Sequence, residues 1–271
     1  MDKTKIKIVG IGEGGARAVG RMIAAGVGKN YNVDFVAIGK DENILLTSTA
    51  PINIFLNRDA PTIYKNISAA LRDAKIVIIV AGLGGSAAVS AISRVISFAK
   101  NNNAAAIAFV NKPFVLESAE RKKNAEYCLN CLREVDTSFI FPAEKFFLFR
   151  LYKKEISVGE LFEVANEIFC AGVKIILDIS VKNDAALKLG AAKFSYGYGA
   201  NVFEAIKSAV KFPTLEPNEI QRAKKIFVRH TGGDDKKAKN FIRSMIQPDA
   251  KLFWQVDNSR GEKIFASIVF S

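Results

Sequence analysis

One histidine, three cysteines and no apolar run approaching the roughly 20 residues of a bilayer span narrow what this 271-residue chain is able to do. Cys128, Cys131 and Cys170 are too few and too scattered to form a disulfide framework. The first two make a CxxC pair inside a helical pattern, Arg121 to Val135, with no second CxxC and no neighbouring histidine. They read as small apolar side chains on one helix face, and no metal site is expected. His230 is the single imidazole and ends a strand pattern, so a structural role is expected of it. The longest apolar runs, Ile76 to Leu83 and Ala104 to Val110, are core strands and no transmembrane segment. No GxxxxGK[ST] occurs, which excludes a Walker-type nucleotide loop. No repeat or low-complexity stretch interrupts the chain, and Met1 to Lys5 lacks the pattern of a secretory signal; a cytoplasmic protein is expected.

Charge is present in excess of one sign. Lys and Arg number 39 against 27 Asp and Glu, a formal net charge of +12. Such a balance permits contact with polyanions or an anionic lipid surface. The basic residues lie in short dispersed runs (Arg121 to Lys123, Lys224-Lys225, Lys236-Lys237) without aromatic interleaving, and no helix-turn-helix, RNP or zinc-finger pattern accompanies them. A solvated basic surface is expected, open to peripheral lipid contact, with no specific nucleic-acid partner.

What the chain does have is two glycine-rich loops, each following a strand pattern and opening a helix. Gly10-Ile11-Gly12-Glu13-Gly14-Gly15 follows Ile6 to Val9, and Gly82-Leu83-Gly84-Gly85-Ser86 follows Ile76 to Val80. Helix N-termini favour anions, and glycine lets a phosphate approach bare backbone. Two such loops in one domain point to a polyphosphate held between them. The first also satisfies the dinucleotide fingerprint with Gly10, Gly12 and Gly15, but Gly39 stands where that site needs an acid. An oxidoreductase would also leave the second loop unexplained.

With 49% hydrophobic residues the chain is able to bury a sizeable core. Strand patterns at Ile6 to Val9, Phe35 to Ile38, Ile76 to Val80, Ala106 to Val110 and Ser138 to Phe141 alternate with helical ones at Arg17 to Ala25, Ile63 to Arg72, Ser86 to Lys100 and Leu116 to Val135. That alternation predicts an α/β fold with a Rossmann-like parallel sheet. A long helical pattern without Pro follows. Beyond it come a strand (Ala191 to Tyr196), a helix (Val202 to Val210), a strand (Lys224 to His230), a helix (Lys236 to Met245) and two strands (Leu252 to Val256, Ile264 to Phe270), a smaller α/β unit. The last two, joined by Asp257 to Gly261, predict a hairpin. The expected organisation is a nucleotide-binding domain over 1–156, a central helix over 157–180 and a C-terminal α/β domain over 181–271.

Six segments, in order and over essentially the whole chain, resemble the FtsZ branch of the tubulin superfamily. Gly10 to Val19 lies over its GxGGxGxNAV, Phe35 to Asp41 over FIAxNTD, and Lys112 to Glu117 with Arg121 over TKPFxFEGxxR. Val135-Asp136-Thr137 resembles its VDT, Phe162 to Glu167 its FxAAND, and Thr231 to Asp234 its TGGxD turn. The resemblance implies a GTP or GDP site, with Mg when GTP is bound. It places the phosphates against Gly10, Gly12, Gly14, Gly15, Gly82, Gly84, Gly85 and Ser86, with Arg17 nearby. Glu117 and Arg121 would face ribose and phosphates, and Phe162, Asn166 and Glu167 the guanine, whose N1–H and 2-amino group suit a carboxylate acceptor. It also implies filament assembly with itself or with FtsZ-like subunits.

The departures are as informative. The family's GGGTGTG reads Gly84-Gly85-Ser86-Ala87-Ala88-Val89-Ser90, so side chains at Ala88 and Val89 are expected to crowd a phosphate. Glu13 brings a carboxylate to the first loop, where it would repel phosphate unless it turns outward. The NxDxxD loop is missing; Asp178 and Asp184 are the candidate acids left. Phosphoryl transfer depends on positioning, so weak or no GTP hydrolysis is expected. The adaptor-binding tail of the family is not expected beyond Ser271. The competing expectation is an active polymerising cell-division GTPase.

Overall fold

The computed structural model describes residues 4–145, 158–182, 187–212, 215–216, 218–233, 235–257 and 264–271. Contacts divide the chain into two units, Met1–Glu144 with Ile156–Gly190, and Lys145–Glu155 with Ala191–Ser271.

The first unit is built on strands β1 (Lys5–Ile11), β2 (Asn32–Gly39), β3 (Ile52–Phe55), β4 (Ile76–Gly82), β5 (Ala105–Lys112) and β6 (Thr137–Pro142), in the order β3-β2-β1-β4-β5-β6 and parallel at every pairing. A two-residue strand β7 (Gly190–Ala191) closes the β6 edge. Central β4 is apolar along its length because helices cover both of its faces. On one face lie α3 (Ala60–Ala70), α4 (Ser86–Asn101) and α5 (Ala119–Cys131), which share a core with Val9, Ile11, Val77 and Ile79. On the other lie α1 (Gly12–Ala24) and the 25-residue α6 (Val158–Lys182), which pack along each other. Phe109 of β5 stacks on Phe139 of β6 and abuts Gly172, where any Cβ would stand 2.4 Å from the ring.

Two elements escape the sequence pattern. The short helix α2 (Glu42–Thr47) and the four-residue edge strand β3 carry too few residues to express a period. Asp41, matched above to the acid of FIAxNTD, caps α2 by accepting from the Ile44 N–H at 3.2 Å.

At the N-terminal ends of the strands, Lys7 is buried and donates to Asp34 at 2.6 Å, while Lys5 reaches the same carboxylate at 2.8 Å. Burial would raise the Asp34 pKa, but hydrogen bonds from Lys5 and Lys7, and then their charges, outweigh it and hold the group below its ordinary 3.8. A depressed carboxylate stabilises the fold above its unfolded pKa, and that contribution fades as pH falls through the folded value. Asp34→Asn is therefore expected to cost about 1–3 kcal/mol at neutral pH, because it strands a buried ammonium. It should also flatten the loss of stability below pH 3.8. Urea melts across an acid series check both outcomes.

The second unit has strands β8 (Lys193–Gly199), β9 (Lys225–Thr231), β10 (Lys251–Asp257) and β11 (Ile264–Phe270), with α7 (Val202–Val210) and α8 (Lys236–Met245) over one face. The expected hairpin does not form. The order is β10-β9-β11-β8, so β9 lies between the last two strands; β10 joins it in parallel and β11 in antiparallel register. The physical reason is burial. β11 is almost wholly apolar and takes a central place with neighbours on both sides, whereas β10 has no fully buried residue and takes the edge.

Candidate functional site

Two helix N-termini converge where the glycine loops meet. α1 starts at Gly12, which has φ +73° and would set a Cβ 3.6 Å from the Ala87 methyl of α4. A Cβ on Gly14 would lie 3.9 Å from the Gly82 N, so the first turn of α1 stands against the second loop. That loop is tied down by the Leu83 N–H to Asn111 O at 2.9 Å and the Asn124 side-chain amide to Gly84 O at 3.1 Å. Gly84, at φ +116°, sits close to the backbone of Arg121, which brings the start of α5 to the same place.

The caps distinguish these two helices from five of the others. α2, α3, α5, α7 and α8 are capped by the side chains of Asp41, Asp59, Ser118, Asn201 and Asp235. α1 and α4 begin after Ile11 and Gly85 and have no side-chain cap. Among the described residues no cap side chain accepts from their first-turn N–H groups, which carry the positive end of the helix dipole. That is the donor set an anion needs. The signal was readable: an Asp, Ser or Asn stands before α2, α3, α5, α7 and α8.

The seven loop glycines do different kinds of work. A Cβ at Gly10 would lie 2.3 Å from the Gly15 carbonyl oxygen, and one at Gly15 would lie 2.4 Å from the Val80 carbonyl oxygen. These two let α1 approach β1 and β4. Around Gly85, by contrast, nothing stands within 4 Å of an added Cβ, and Gly14 is exposed. These open positions leave room for a ligand. Ser86 is exposed beside them, while the Ser90 hydroxyl donates back to the Ser86 carbonyl at 2.9 Å.

Ala88 and Val89 do not crowd this mouth as expected. Ala88 is buried and Val89 packs on the core shared by α3 and α4, because their helical positions turn them toward the sheet. Glu13 is exposed, and its carboxylate accepts from Arg17 at 2.8 and 3.2 Å. A second Glu–Arg pair four residues apart lies across the mouth. Glu117 accepts from the Phe114 N–H at 2.7 Å and pairs with Arg121. Both arginines expected near phosphate thus have a carboxylate partner four residues earlier in the chain.

The remaining candidates lie on α6. Asn166 is buried and Glu167 half-buried on the helix that runs beside α1. The Phe162 side chain and Asp184 lie outside the described residues. Asp178 accepts a hydrogen bond from the Tyr31 hydroxyl, which ties α6 to the chain entering β2. The VDT segment is structural in its contacts: Asp136 accepts from the Ala106 N–H at 2.9 Å, and the Thr137 hydroxyl joins Leu187 and Leu189 to β6.

The site suits polyphosphate better than a bare cation. Among the described residues no three His, Cys, Asp or Glu side chains gather to hold a metal, and the carboxylates nearest the loops are both engaged by arginine. Mg would arrive on the phosphates, its usual mode. Burial pushes the Cys128 thiol up to about 11, with Cys131 beside it adding to the shift, and burial raises Cys170 to about 11 as well. At neutral pH, thiol reagents are expected to label Cys131 in the native protein, and Cys128 and Cys170 only after unfolding; peptide mass mapping checks this.

No family model matches the sequence. Solved structures do. An empty FtsZ dimer from M. jannaschii superposes with a TM-score of 0.84 over 99% of this chain and 88% of that one, at 24% identity. The chain has the tubulin/FtsZ fold. The GDP-bound CetZ1 monomer from Haloferax volcanii shares it at TM-score 0.76 and 17% identity, over 99% of this chain and 94% of that one. TubZ of type III plasmid segregation shares it at TM-score 0.70 and 10% identity, over 99% and 88%. The tubulin/FtsZ fold therefore accounts for the glycine loops, the long α6 and the smaller second unit together. Among the described residues no helix is long and apolar enough to cross a membrane.

Proposed function

We propose that this chain is a divergent FtsZ-like cytoskeletal protein that binds guanine nucleotide, hydrolyses GTP weakly or not at all, and acts in or on filament assembly in the cytoplasm. The observation that carries the reading is the pair of uncapped N-termini of α1 and α4, set against each other with Gly14 and Gly85 open. Backbone N–H groups of Gly12, Gly14, Gly85 and Ser86 would grip the phosphates, and Asn166 and Glu167 would read the base. Gly10, Gly15, Gly82 and Gly84 shape the loops, while Arg17 and Arg121 lend charge already shared with Glu13 and Glu117. The neighbours support the same reading, since one of them was solved with GDP. Weak hydrolysis follows from the candidate acids: Asp178 is held by Tyr31, and the segment after α6 lacks the NxDxxD set.

Titration with labelled GTP and GDP, with and without Mg, alongside phosphate release and light scattering, tests this. Binding with little phosphate release is the expected result. Rapid turnover with filaments would replace it by an active polymerising GTPase, and no binding at millimolar nucleotide would remove the guanine site altogether.

A further inference from the structure

The first turn of α1 holds one carboxylate, Glu13, and the first turn of α4 holds none. A carboxylate there is drawn to the positive end of its own helix, which is also where a phosphate would sit. Glu13 is therefore the one acidic side chain of these two turns that is able to compete with a ligand for the open N–H groups. It is not used that way. Among the described residues its carboxylate accepts only from Arg17, whose Nη2 lies 2.8 Å and whose Nε lies 3.2 Å from the same oxygen, Oε1.

One edge of the guanidinium thus closes on one oxygen, and that grip sets the direction of the carboxylate. Residues four apart stand one above the other on a helix, and Arg17 lies a turn further from the N-terminus than Glu13. Pairing with it draws Glu13 along the helix, away from the N–H groups of Gly12 and Gly14. The two side chains are 56% and 60% exposed, and an ion pair so open to solvent adds little to folding stability. Its effect is on where a negative charge stands.

The second Glu–Arg pair is held differently. Glu117 accepts from the Phe114 N–H at 2.7 Å as well as from Arg121, so the loop fixes that carboxylate whether or not the arginine is present. Among the described residues Glu13 has no second tether. Both members of its pair also depart from the GxGGxGxNAV pattern that Gly10 to Val19 resembles, where a glycine stands at 13 and an asparagine at 17. The two departures meet each other.

We propose that Arg17 is a positioning residue of the phosphate site: it holds the Glu13 carboxylate off the N-terminus of α1 and does not itself bind phosphate. The inference rests on the guanine-nucleotide reading above. Without Arg17, Glu13 turns to the N-terminus of its own helix and competes there with the nucleotide's phosphates. The carboxylate is the harmful group and the arginine its restraint. The loss caused by removing the arginine therefore depends on the acid being present.

A double-mutant cycle read by titration of labelled GDP at low ionic strength tests this, with thermal melts of each protein. Arg17→Gln should weaken GDP binding about fivefold, or about 1 kcal/mol. Glu13→Gln should bind no more weakly than the wild type, and adding Arg17→Gln to it should change the affinity by less than about twofold. All four proteins should melt close together, since the pair is exposed and no buried contact is lost. An arginine that binds phosphate directly would give equal losses with and without Glu13→Gln. That result would overturn the proposal, as would an Arg17→Gln protein that binds GDP as tightly as the wild type. Absence of GDP binding by all four at millimolar concentration would instead remove the guanine site, and this role of Arg17 with it.

Discussion

Gly15→Ala is expected to cost at least about 3 kcal/mol of folding free energy, the upper end of what overpacking does in a close-packed interior. The added methyl would stand 2.4 Å from the Val80 carbonyl oxygen and 2.8 Å from the Gly10 carbonyl carbon. Both are backbone atoms of adjacent central strands and neither is free to move. Relief requires α1 to lift off β1 and β4, which would expose Ala18, Val19 and Met22, all fully buried. Against the ~5–15 kcal/mol of a typical domain, that loss is large. Gly14→Ala is the control from the same helix. Its methyl would find no atom nearer than 3.9 Å, and replacing a helical glycine by alanine gains up to about 1 kcal/mol. Urea melts of the two variants should move in opposite directions with similar slopes.

Gly85→Asp is expected to do the reverse: strengthen the fold and abolish the ligand. Gly85 occupies the N-cap of α4 at φ −76° and ψ 146°, a conformation any residue adopts, with nothing within 4 Å of an added Cβ. An aspartate there would cap the helix as Asp41, Asp59 and Asp235 cap theirs, gaining a few tenths to about 1 kcal/mol. The same carboxylate would occupy the donors that phosphate needs and repel its charge. Two like charges about 4 Å apart near a protein surface interact by about 4 kcal/mol. Partial exposure reduces that, and a fall of about 100-fold in nucleotide affinity, or about 2.8 kcal/mol, is expected. A gain in stability with a loss of binding has no explanation in damage to the fold.

Much of this arrangement is legible in the sequence. Strands with unbroken apolar runs, such as Ile76 to Val80, had to be covered on both faces, and they are central. The bounds of α7, α8 and β11 follow their hydrophobic pattern residue for residue. Other features could not be read that way. Whether Ile264 to Phe270 pairs with its predecessor or crosses over depends on which strand must be covered on both edges, a comparison across the whole sheet. Gly10 and Gly12 look alike in a fingerprint, yet one is fixed by the carbonyl of Gly15 and the other by a positive φ. That difference belongs to packing. Ala88 and Val89 turn inward with the helical rotation of α4, which a motif read position by position does not express. The Glu13–Arg17 and Glu117–Arg121 pairs, in contrast, were visible as acid and base four residues apart.

The measurement that decides most is an equilibrium titration of labelled GDP into the wild-type protein and Gly85→Asp side by side, with thermal melts of both. If the open N-terminus of α4 is a phosphate site, the wild type binds at submillimolar nucleotide, the variant melts no lower, and its affinity falls about 100-fold. Equal binding by the two proteins, or none by the wild type at millimolar GDP, would contradict it.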